Sequence, residues 1–206
     1  SKNENSNLLG INSYIDITKN ILTIRGGFKS YFENNNYADV FRVVPDVNFL
    51  LKLSDKVIPY GGVGGYLKSN TYRVILEENR YANLTDNLRN SYCAVSFYGG
   101  LKGVFINNIN YNIKVNYDKL NNIVFYITDT NNIFLNTFLP VYSDGDVLSL
   151  YGDIGYIMKD KIKMNLGIKY DSYSNLSEAK AWYKPNLRVD YNISYNLYDK
   201  IYTSGS

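Results

Sequence analysis

The residues of this 206-residue chain that could take part in catalysis or ligand binding are charged side chains in otherwise apolar or neutral segments. The chain has no histidine and a single cysteine. This excludes Ser-His, Cys-His and histidine–metal chemistry, and also an internal disulfide framework. A carboxylate pair such as Asp153 and Asp190 is arithmetically possible, but Lys163 and Arg188 nearby favour two solvated, charge-balanced groups. We therefore expect no enzymatic activity, no cofactor and no metal site.

Basic residues outnumber acidic ones at the mid-strand polar positions discussed below. This excess favours an anionic ligand or an acidic protein surface, unless strands outside this sequence supply compensating acids. The net charge is +3, which is too balanced to imply a nucleic-acid partner. The candidate ligand-binding residues are Arg25, Arg42, Lys114, Asp153, Lys163, Lys169, Arg188 and Asp190.

Period-two alternation identifies the elements that position these charges. From Leu187 to Leu197, odd positions are apolar or aromatic and even positions are polar. Residues 109–117, 148–158 and 162–170 alternate similarly, which is typical of antiparallel strands with two different faces. The sequence predicts strands near residues 8–17, 21–32, 39–53, 57–68, 92–105, 109–118, 146–159, 162–171, 185–197 and from 200 onward.

The connections alternate between tight turns and longer polar stretches, so each pair of strands is predicted to form a hairpin. The predicted tight turns are Thr18–Asn20, Ser54–Asp55, Asn107–Asn108, Lys159–Asp160 and Tyr198–Asp199. The predicted long connections are Glu33–Ala38, Ser69–Ser91, Asp118–Gly145 and Asp171–Lys184. No linker interrupts this series, and residues 1–206 are therefore expected to form a single β-barrel segment.

Three features favour a membrane barrel over a soluble β-sheet module, although the soluble module stays open. The strands are long, charges occur at mid-strand, and aromatic residues collect beside the long connections. These aromatic residues are Tyr31, Phe32, Tyr37, Phe41, Tyr72, Tyr92, Tyr117, Tyr142, Tyr170, Trp182 and Tyr183. The expected lipid-facing residues include Leu166, Ile168, Val189, Tyr191 and Ile193. The expected lumen-facing residues include Lys163, Lys169, Arg188, Asp190 and Asn192.

Two segments resemble TonB-dependent outer-membrane receptors of Bacteroidetes type. Ser177–Ser206 (SEAKAWYKPNLRVDYNISYNLYDKIYTSGS) resembles late barrel strands, and Asp86–Thr130 (DNLRNSYCAVSFYGGLKGVFINNINYNIKVNYDKLNNIVFYITDT) resembles an earlier hairpin and its extracellular loop. The resemblance implies a barrel of about 22 strands, of which this chain would supply roughly ten or eleven. It also implies a bacterial outer-membrane location and energised uptake of a nutrient such as a metal chelate, peptide or oligosaccharide.

The partners implied by this resemblance are outer-membrane lipid, an N-terminal plug, the remaining barrel strands and a periplasmic energy-coupling protein. The sequence shows no plug and no signal peptide, so an internal barrel fragment is expected. Its sheet would have edges near Ile11 and Ile201, either left open or completed by other chain segments. A non-transporting barrel that serves as an adhesin or assembly platform is the alternative, besides the soluble module.

Overall fold

In the part of the chain that it describes, the computed structural model contains ten strands and one short helix. It describes residues 7–34, 39–83, 88–106, 108–131, 134, 136–158, 161–177, 183–197 and 201–205. The helix α1 (Tyr72–Glu78) lies between β4 and β5. The strands are β1 (Asn7–Lys19), β2 (Leu22–Asn34), β3 (Asp39–Leu51), β4 (Ile58–Lys68), β5 (Ser91–Ile106), β6 (Ile109–Thr128), β7 (Phe138–Met158), β8 (Ile162–Ser174), β9 (Leu187–Leu197) and β10 (Ile201–Gly205).

All ten strands form one antiparallel sheet whose spatial order is the chain order. Each strand pairs with its sequence neighbours, as in Asp16 opposite Arg25 and Lys169 opposite Arg188. Among the described strands, β1 and β10 each pair on one side only, so the sheet is open. The predicted all-β, up-and-down arrangement is confirmed, as are the two unpaired edges.

The two faces of the sheet differ as the alternation predicts. Leu166, Ile168, Val189 and Tyr191 are 43%, 47%, 58% and 51% exposed on one face, which we call the outer face. Ile193 shares this face by alternation and is half-buried. The opposite, inner face carries the polar residues of the same strands. Within the described ranges, no helix is long and apolar enough to cross a membrane.

The prediction of a long loop over Asp118–Gly145 is wrong. β6 continues to Thr128 and β7 begins at Phe138, so these strands form one long hairpin. A register shift between Leu120 and Ile123, with Asn122 at φ 57°, inserts an extra residue into β6. Such a bulge reverses the phase of the alternation, and the apolar run that follows it has no period-two pattern.

The other predicted long connections also need correction. The connection predicted at Glu33–Ala38 is short, because β2 ends at Asn34 and β3 begins at Asp39. The one predicted from Asp171 starts later, because β8 continues to Ser174. The one predicted at Ser69–Ser91 contains α1. Lys159–Asp160, Tyr198–Asp199, Tyr37 and Trp182 lie outside the described residues.

The helix α1 is short and depends on packing. The Thr71 hydroxyl accepts a hydrogen bond from the Val74 amide at 3.3 Å, which caps its N-terminus. Ile75 is its buried residue and packs against Val124 and Tyr126 of β6. A helix of two turns is not stable alone in water, so this contact holds it in place.

The packed core lies at the upper end of the sheet, meaning the end that carries the longer connections. One cluster contains Ile75, Val124 and Tyr126, and the other contains Ile123, Phe125 and Val147. Alternating residues of β6 point to opposite faces, so the two clusters cover the two faces of the long hairpin. The hairpin is therefore anchored on both sides above the two-faced part of the sheet.

Candidate functional site

The inner face encloses a polar trough of about 980 Å³ between β1 and β8. Its floor combines phenol rings, amides and ammonium groups, with few purely apolar side chains. The residues of this inner trough that carry chemistry are Tyr14, Tyr60, Tyr66, Tyr98, Tyr151, Arg25, Lys29, Lys102, Lys114, Lys169, Asp46, Asp118, Asn48, Asn112 and Asn116.

Two tyrosine rings lie across neighbouring strands because glycines leave room for them. Tyr60 is paired with Gly100, and Tyr98 with Gly62. A Cβ atom at Gly100 would lie 2.5 Å from Cζ of Tyr60, and one at Gly62 would lie 2.8 Å from the Tyr98 hydroxyl. The ring centroids are 6.4 Å apart at an interplanar angle of 50°. The glycines therefore determine how these rings line the inner trough.

Two lysine ammonium groups contact these rings rather than carboxylates. The Lys102 Nζ lies 5.4 Å from the centroid of Tyr60, and the Lys114 Nζ lies 4.6 Å from that of Tyr98. Both distances are within the range of cation–π attraction. The Tyr60 hydroxyl donates to Asn112 Oδ1 at 2.6 Å. We call Tyr60, Tyr98, Lys102 and Lys114 the tyrosine–lysine pad.

Strand pairing places three cations in one row across the inner face. Lys114 is opposite Tyr151, Tyr151 is opposite Lys169, and Lys169 is opposite Arg188. Neighbouring strands are about 4.8 Å apart, so these groups form a continuous basic row. Lys169 also binds Asp171, with 2.9 Å between Nζ and Oδ2. The row carries more positive charge than its own carboxylate neutralises.

Two cations of β2 are paired with carboxylates instead. Arg25 makes a bidentate contact with Asp16, with its Nε and Nη2 at 2.7 and 2.9 Å from the carboxylate oxygens. Lys29 lies 3.3 Å from Asp46. In the part of the chain that the structure describes, Lys114 and Arg188 make no ion pair. The basic row on β6–β9 thus keeps positive charge that these ion pairs do not neutralise.

The structure brings some of the sequence-predicted site residues together and separates others. Arg25, Lys114 and Lys169 line the inner trough. Asp153 shares the face, and its carboxylate accepts a hydrogen bond from Asn112 at 3.1 Å. Lys163, Arg188 and Asp190 lie on the inner face by strand alternation but outside the trough lining.

Arg42 occupies a different environment. It is on the inner face near the upper end of β3, with its guanidinium carbon 4.5 Å from the centroid of Tyr92. Its Nε is buried without a hydrogen-bond partner among the described residues. Tyr92, which the sequence places in an aromatic girdle, therefore stacks on an arginine. Tyr142 also differs from that prediction, because it packs beside Ile75 and accepts a hydrogen bond from the Arg89 amide at 2.9 Å.

The trough tyrosines were not among the predicted site residues. The glycine-rich segment around Tyr60 blurs the period-two pattern, so its inner positions could not be assigned from sequence. Tyr98 next to Gly99 and Gly100 was the available signal, since strand glycines mark places where another group approaches closely.

An ion pair joins two connections at the upper rim. The Lys184 ammonium binds the Glu78 carboxylate at the end of α1. The Tyr126 hydroxyl donates to the same carboxylate at 3.3 Å. Burial lowers the pKa of Lys184, and the Glu78 carboxylate opposes this effect. The segment after β4 is thereby fixed to the segment before β9.

Acidic groups are dispersed on this sheet. Within the described ranges, no three histidine, cysteine, aspartate or glutamate side chains lie close enough together to hold a metal ion. The carboxylates of the inner face instead contact cations and amides, as Asp46 contacts Lys29 and Asp153 contacts Asn112. The polar groups that line the inner trough can form hydrogen bonds and charge contacts with a bound molecule.

Comparison with solved structures shows the same arrangement of strands in larger barrels. The FpvAI–pyocin S2 complex matches with a TM-score of 0.61 and 12% identity, covering 98% of this chain and 28% of that one. The pyoverdine outer membrane receptor FpvA from Pseudomonas aeruginosa PAO1, bound to pyoverdine, matches with a TM-score of 0.59 and 14% identity, covering 97% and 30%. The copper transporter OprC matches with a TM-score of 0.57 and 13% identity, covering 94% and 33%.

These identities are low, so the likeness concerns the fold. No protein-family model matches the sequence, and no curated protein is similar enough to count as a relative. The chain spans about a third or less of the length of the solved structures above. It has the fold of one portion of these larger barrels.

Proposed function

We propose that this chain forms part of the wall of a receptor and transporter barrel in the outer membrane of a Gram-negative bacterium. The observation that carries the proposal is the two-faced sheet. Its outer face exposes a broad band of large apolar side chains, and its inner face holds a charged, hydrogen-bonding trough. Water is a favourable solvent for the polar inner face and an unfavourable one for the apolar outer face.

The size of the apolar band favours lipid as its solvent. Exposed apolar residues occur on the outer faces of β1, β2, β3, β5, β6, β7, β8 and β9, including Ile15, Phe28, Phe41, Ile113 and Ile154. Monomeric soluble proteins seldom expose contiguous apolar patches above a few hundred Å². Phe32 and Phe41 face each other across β2 and β3 near the upper end, where an interfacial aromatic girdle belongs.

The inner trough supports a role in uptake. Its tyrosine–lysine pad and basic row would attract an anionic ligand, or the acidic surface of a plug domain that fills the barrel. A metal chelate, a peptide or an oligosaccharide is the proposed class of nutrient. The proposed partners are outer-membrane lipid, an N-terminal plug, the remaining barrel strands and a periplasmic energy-coupling protein. We also propose a Bacteroidetes-type origin and a non-enzymatic role.

One observation supports the alternative role of a docking platform. The upper rim is packed, with α1 held by Ile75 and by the ion pair between Lys184 and Glu78. Tyr81 and Tyr183 are 68% and 61% exposed on this rim. Exposed tyrosines on a firm scaffold suit a protein partner, so an adhesin or assembly barrel is the second candidate.

The uptake proposal can be tested in cells that express the full-length protein carrying these residues. We expect the combined change of Lys114, Lys169 and Arg188 to alanine to reduce accumulation of an anionic labelled chelate, with the protein still inserted in the outer membrane. Lys161→Gln, in the short turn before β8, controls for the loss of a single positive charge outside the inner trough. Unchanged accumulation with normal insertion would favour the docking-platform alternative.

A further inference from the structure

An apolar groove of about 440 Å³ crosses the outer face between β3 and β6. Its lining includes Val47, Phe49, Val63, Phe97, Gly99, Val115 and Tyr117. Phe49 and Phe97 are about half exposed and border the groove. We call this the outer groove. It lies on the opposite face of the sheet from the inner trough, and Tyr98 is the residue that lines both.

Gly99 gives the outer groove its depth. The atom nearest to a Cβ built at Gly99 would be the Tyr60 carbonyl oxygen, at a distance of 4.0 Å. The space on the outer side of Gly99 is therefore empty. Gly61 is paired with Gly99, and the Phe49 ring leans over Gly61, with 2.9 Å from Cε1 to a Cβ built there. Neighbouring strands are about 4.8 Å apart, so the vacant position leaves a slot about as wide as one extended hydrocarbon chain.

The upper end of the groove is polar and lies beside the ammonium group of Lys119. Tyr117, opposite Phe97, is exposed, and the next outward residue of β6 is Lys119. Lys119 is exposed and makes no ion pair with the described residues. Asp146 is its cross-strand neighbour, but that carboxylate is buried and accepts a hydrogen bond from the Asn175 amide at 2.5 Å.

A second cation lies on the same side of the hairpin. Arg89 is exposed, and its guanidinium carbon lies 5.9 Å from the centroid of Tyr142, an outer-face residue of β7. An apolar slot that ends at a tyrosine and a lysine complements a lipid with an anionic head. Aromatic rings prefer the headgroup level, and lysine or arginine binds phosphate there.

We infer that the outer groove holds one phosphate-bearing membrane lipid, with an acyl chain over Gly99 and its phosphate at Lys119. Arg89 lies farther up the same face, beside Tyr142. The inference rests on the membrane placement proposed above. It adds a specific lipid site to what would otherwise be a uniform lipid-facing wall.

The test uses native mass spectrometry of the full-length protein carrying these residues, purified in detergent. Dipalmitoyl phosphatidylglycerol and dipalmitoyl phosphatidylcholine are added separately, since they share acyl chains and differ in head charge. We expect one phosphatidylglycerol to be retained preferentially. Lys119→Gln should weaken that retention on the order of tenfold and remove the preference between heads.

Gly99→Leu should weaken retention of both lipids, because the side chain would fill the slot for the acyl chain. Lys161→Gln, which removes a cation at the opposite end of the sheet, is the control for charge. Gly26→Leu is the control for bulk, since a Cβ at Gly26 on the outer face of β2 has nothing within 4 Å. Neither control should change lipid retention.

Equal retention of both lipids by the unmodified protein would overturn the lipid site. So would lipid retention in Lys119→Gln and Gly99→Leu that equals that of the unmodified protein. If the protein still folds as a barrel that requires detergent, either of these results would leave the proposed function intact. A protein that is monomeric and folded without detergent would instead reject the membrane placement and the lipid site together.

Discussion

Single glycines set the positions of the tyrosine rings in the inner trough. The adjacent glycines Gly99 and Gly100 differ in the space that a Cβ atom would have. A Cβ at Gly100 would lie 2.6 Å from the Ile113 carbonyl oxygen and 2.5 Å from the Tyr60 ring. A backbone oxygen cannot move aside as a flexible side chain can. Gly99 faces open space on the other side of the sheet.

We therefore expect Gly100→Ala to lower the free energy of unfolding by about 1–3 kcal/mol, as overpacking does. Gly99→Ala should be neutral or slightly stabilising, because it restricts the unfolded chain without a clash. Urea unfolding of the full-length protein in lipid vesicles measures both. Equal effects of the two substitutions would show that the Tyr60 ring does not depend on the glycine beneath it.

The difference between the two faces of β8 gives a second prediction, for substitutions at single positions. Ile168 lies on the outer face between Gly152 and Val189, and Asn165 lies on the inner face. Ile168→Arg should cost about 2–4 kcal/mol if it lies near the bilayer midplane, because the cation would enter hydrocarbon. Asn165→Arg should cost much less. Folding into vesicles under increasing urea compares the two, and similar costs would count against a lipid-facing side.

Lys184 provides a pH prediction at the upper rim. Burial lowers its pKa, so the unfolded chain binds more protons than the folded protein just below the ordinary value of 10.5. Stability therefore rises with pH through that window, and Glu78, Lys68 and Arg188 modulate the effect. Lys184→Met should remove this rise. Urea midpoints of the two proteins compared from about pH 8 to 10.5 measure the difference, since tyrosine ionisation is common to both proteins. A parallel rise in the variant would refute it.

Among the elements, α1 depends most on a single contact. Ile75 is buried against Val124 and Tyr126, and the helix has only two turns. Ile75→Ala should lower the free energy of local opening of this segment by about 2–4 kcal/mol. Hydrogen exchange of residues 72–79 measures it.

Glu77→Ala is the control for α1, since it removes only the exposed pair with Arg73. Its expected effect is a few tenths of a kcal/mol. Strong destabilisation of the whole sheet by Ile75→Ala would contradict a locally docked helix. No change in exchange would show that the capped ends and the Lys184 contact hold the segment without Ile75.

The elements also show what the sequence could and could not predict. β8 and β9 alternate cleanly, so the pattern predicted their existence and the two faces of their central parts, although β8 continues three residues past its predicted end. The upper half of the β6–β7 hairpin did not, because the bulge at Asn122 shifts the phase and both faces there are packed. The helix α1 was missed because one buried isoleucine provides no helical periodicity.

At the scale of the whole molecule, the charge-based part of the site was predictable and the aromatic part was not. Arg25, Lys114 and Lys169 occupy polar positions of long strands, and alternation alone puts them on one face. Tyr60 and Tyr98 have inner-face positions that a pattern of apolar and polar residues cannot assign, since tyrosine suits both faces. Their role depends on glycines of neighbouring strands, a contact that only pairing reveals.

The open sheet leads to a prediction about the isolated chain. The unpaired sides of β1 and β10 leave backbone donors and acceptors that hydrocarbon cannot satisfy. The 206-residue chain alone should therefore aggregate without detergent and fail to give a heat-resistant folded band in it. Gel mobility before and after heating measures this. A monomeric, detergent-free solution would support the soluble β-sheet module.

The most direct test of a lipid-facing outer face is a nitroxide scan of residues 163–170 in the full-length protein, with Cys93 replaced by serine, in lipid vesicles. Collision rates with oxygen, which concentrates in hydrocarbon, and with a water-soluble nickel complex are measured at each position. Oxygen should dominate at Met164, Leu166, Ile168 and Tyr170, and nickel at Lys163, Asn165, Gly167 and Lys169. Uniform access of the nickel complex to both sets would contradict a membrane-spanning strand.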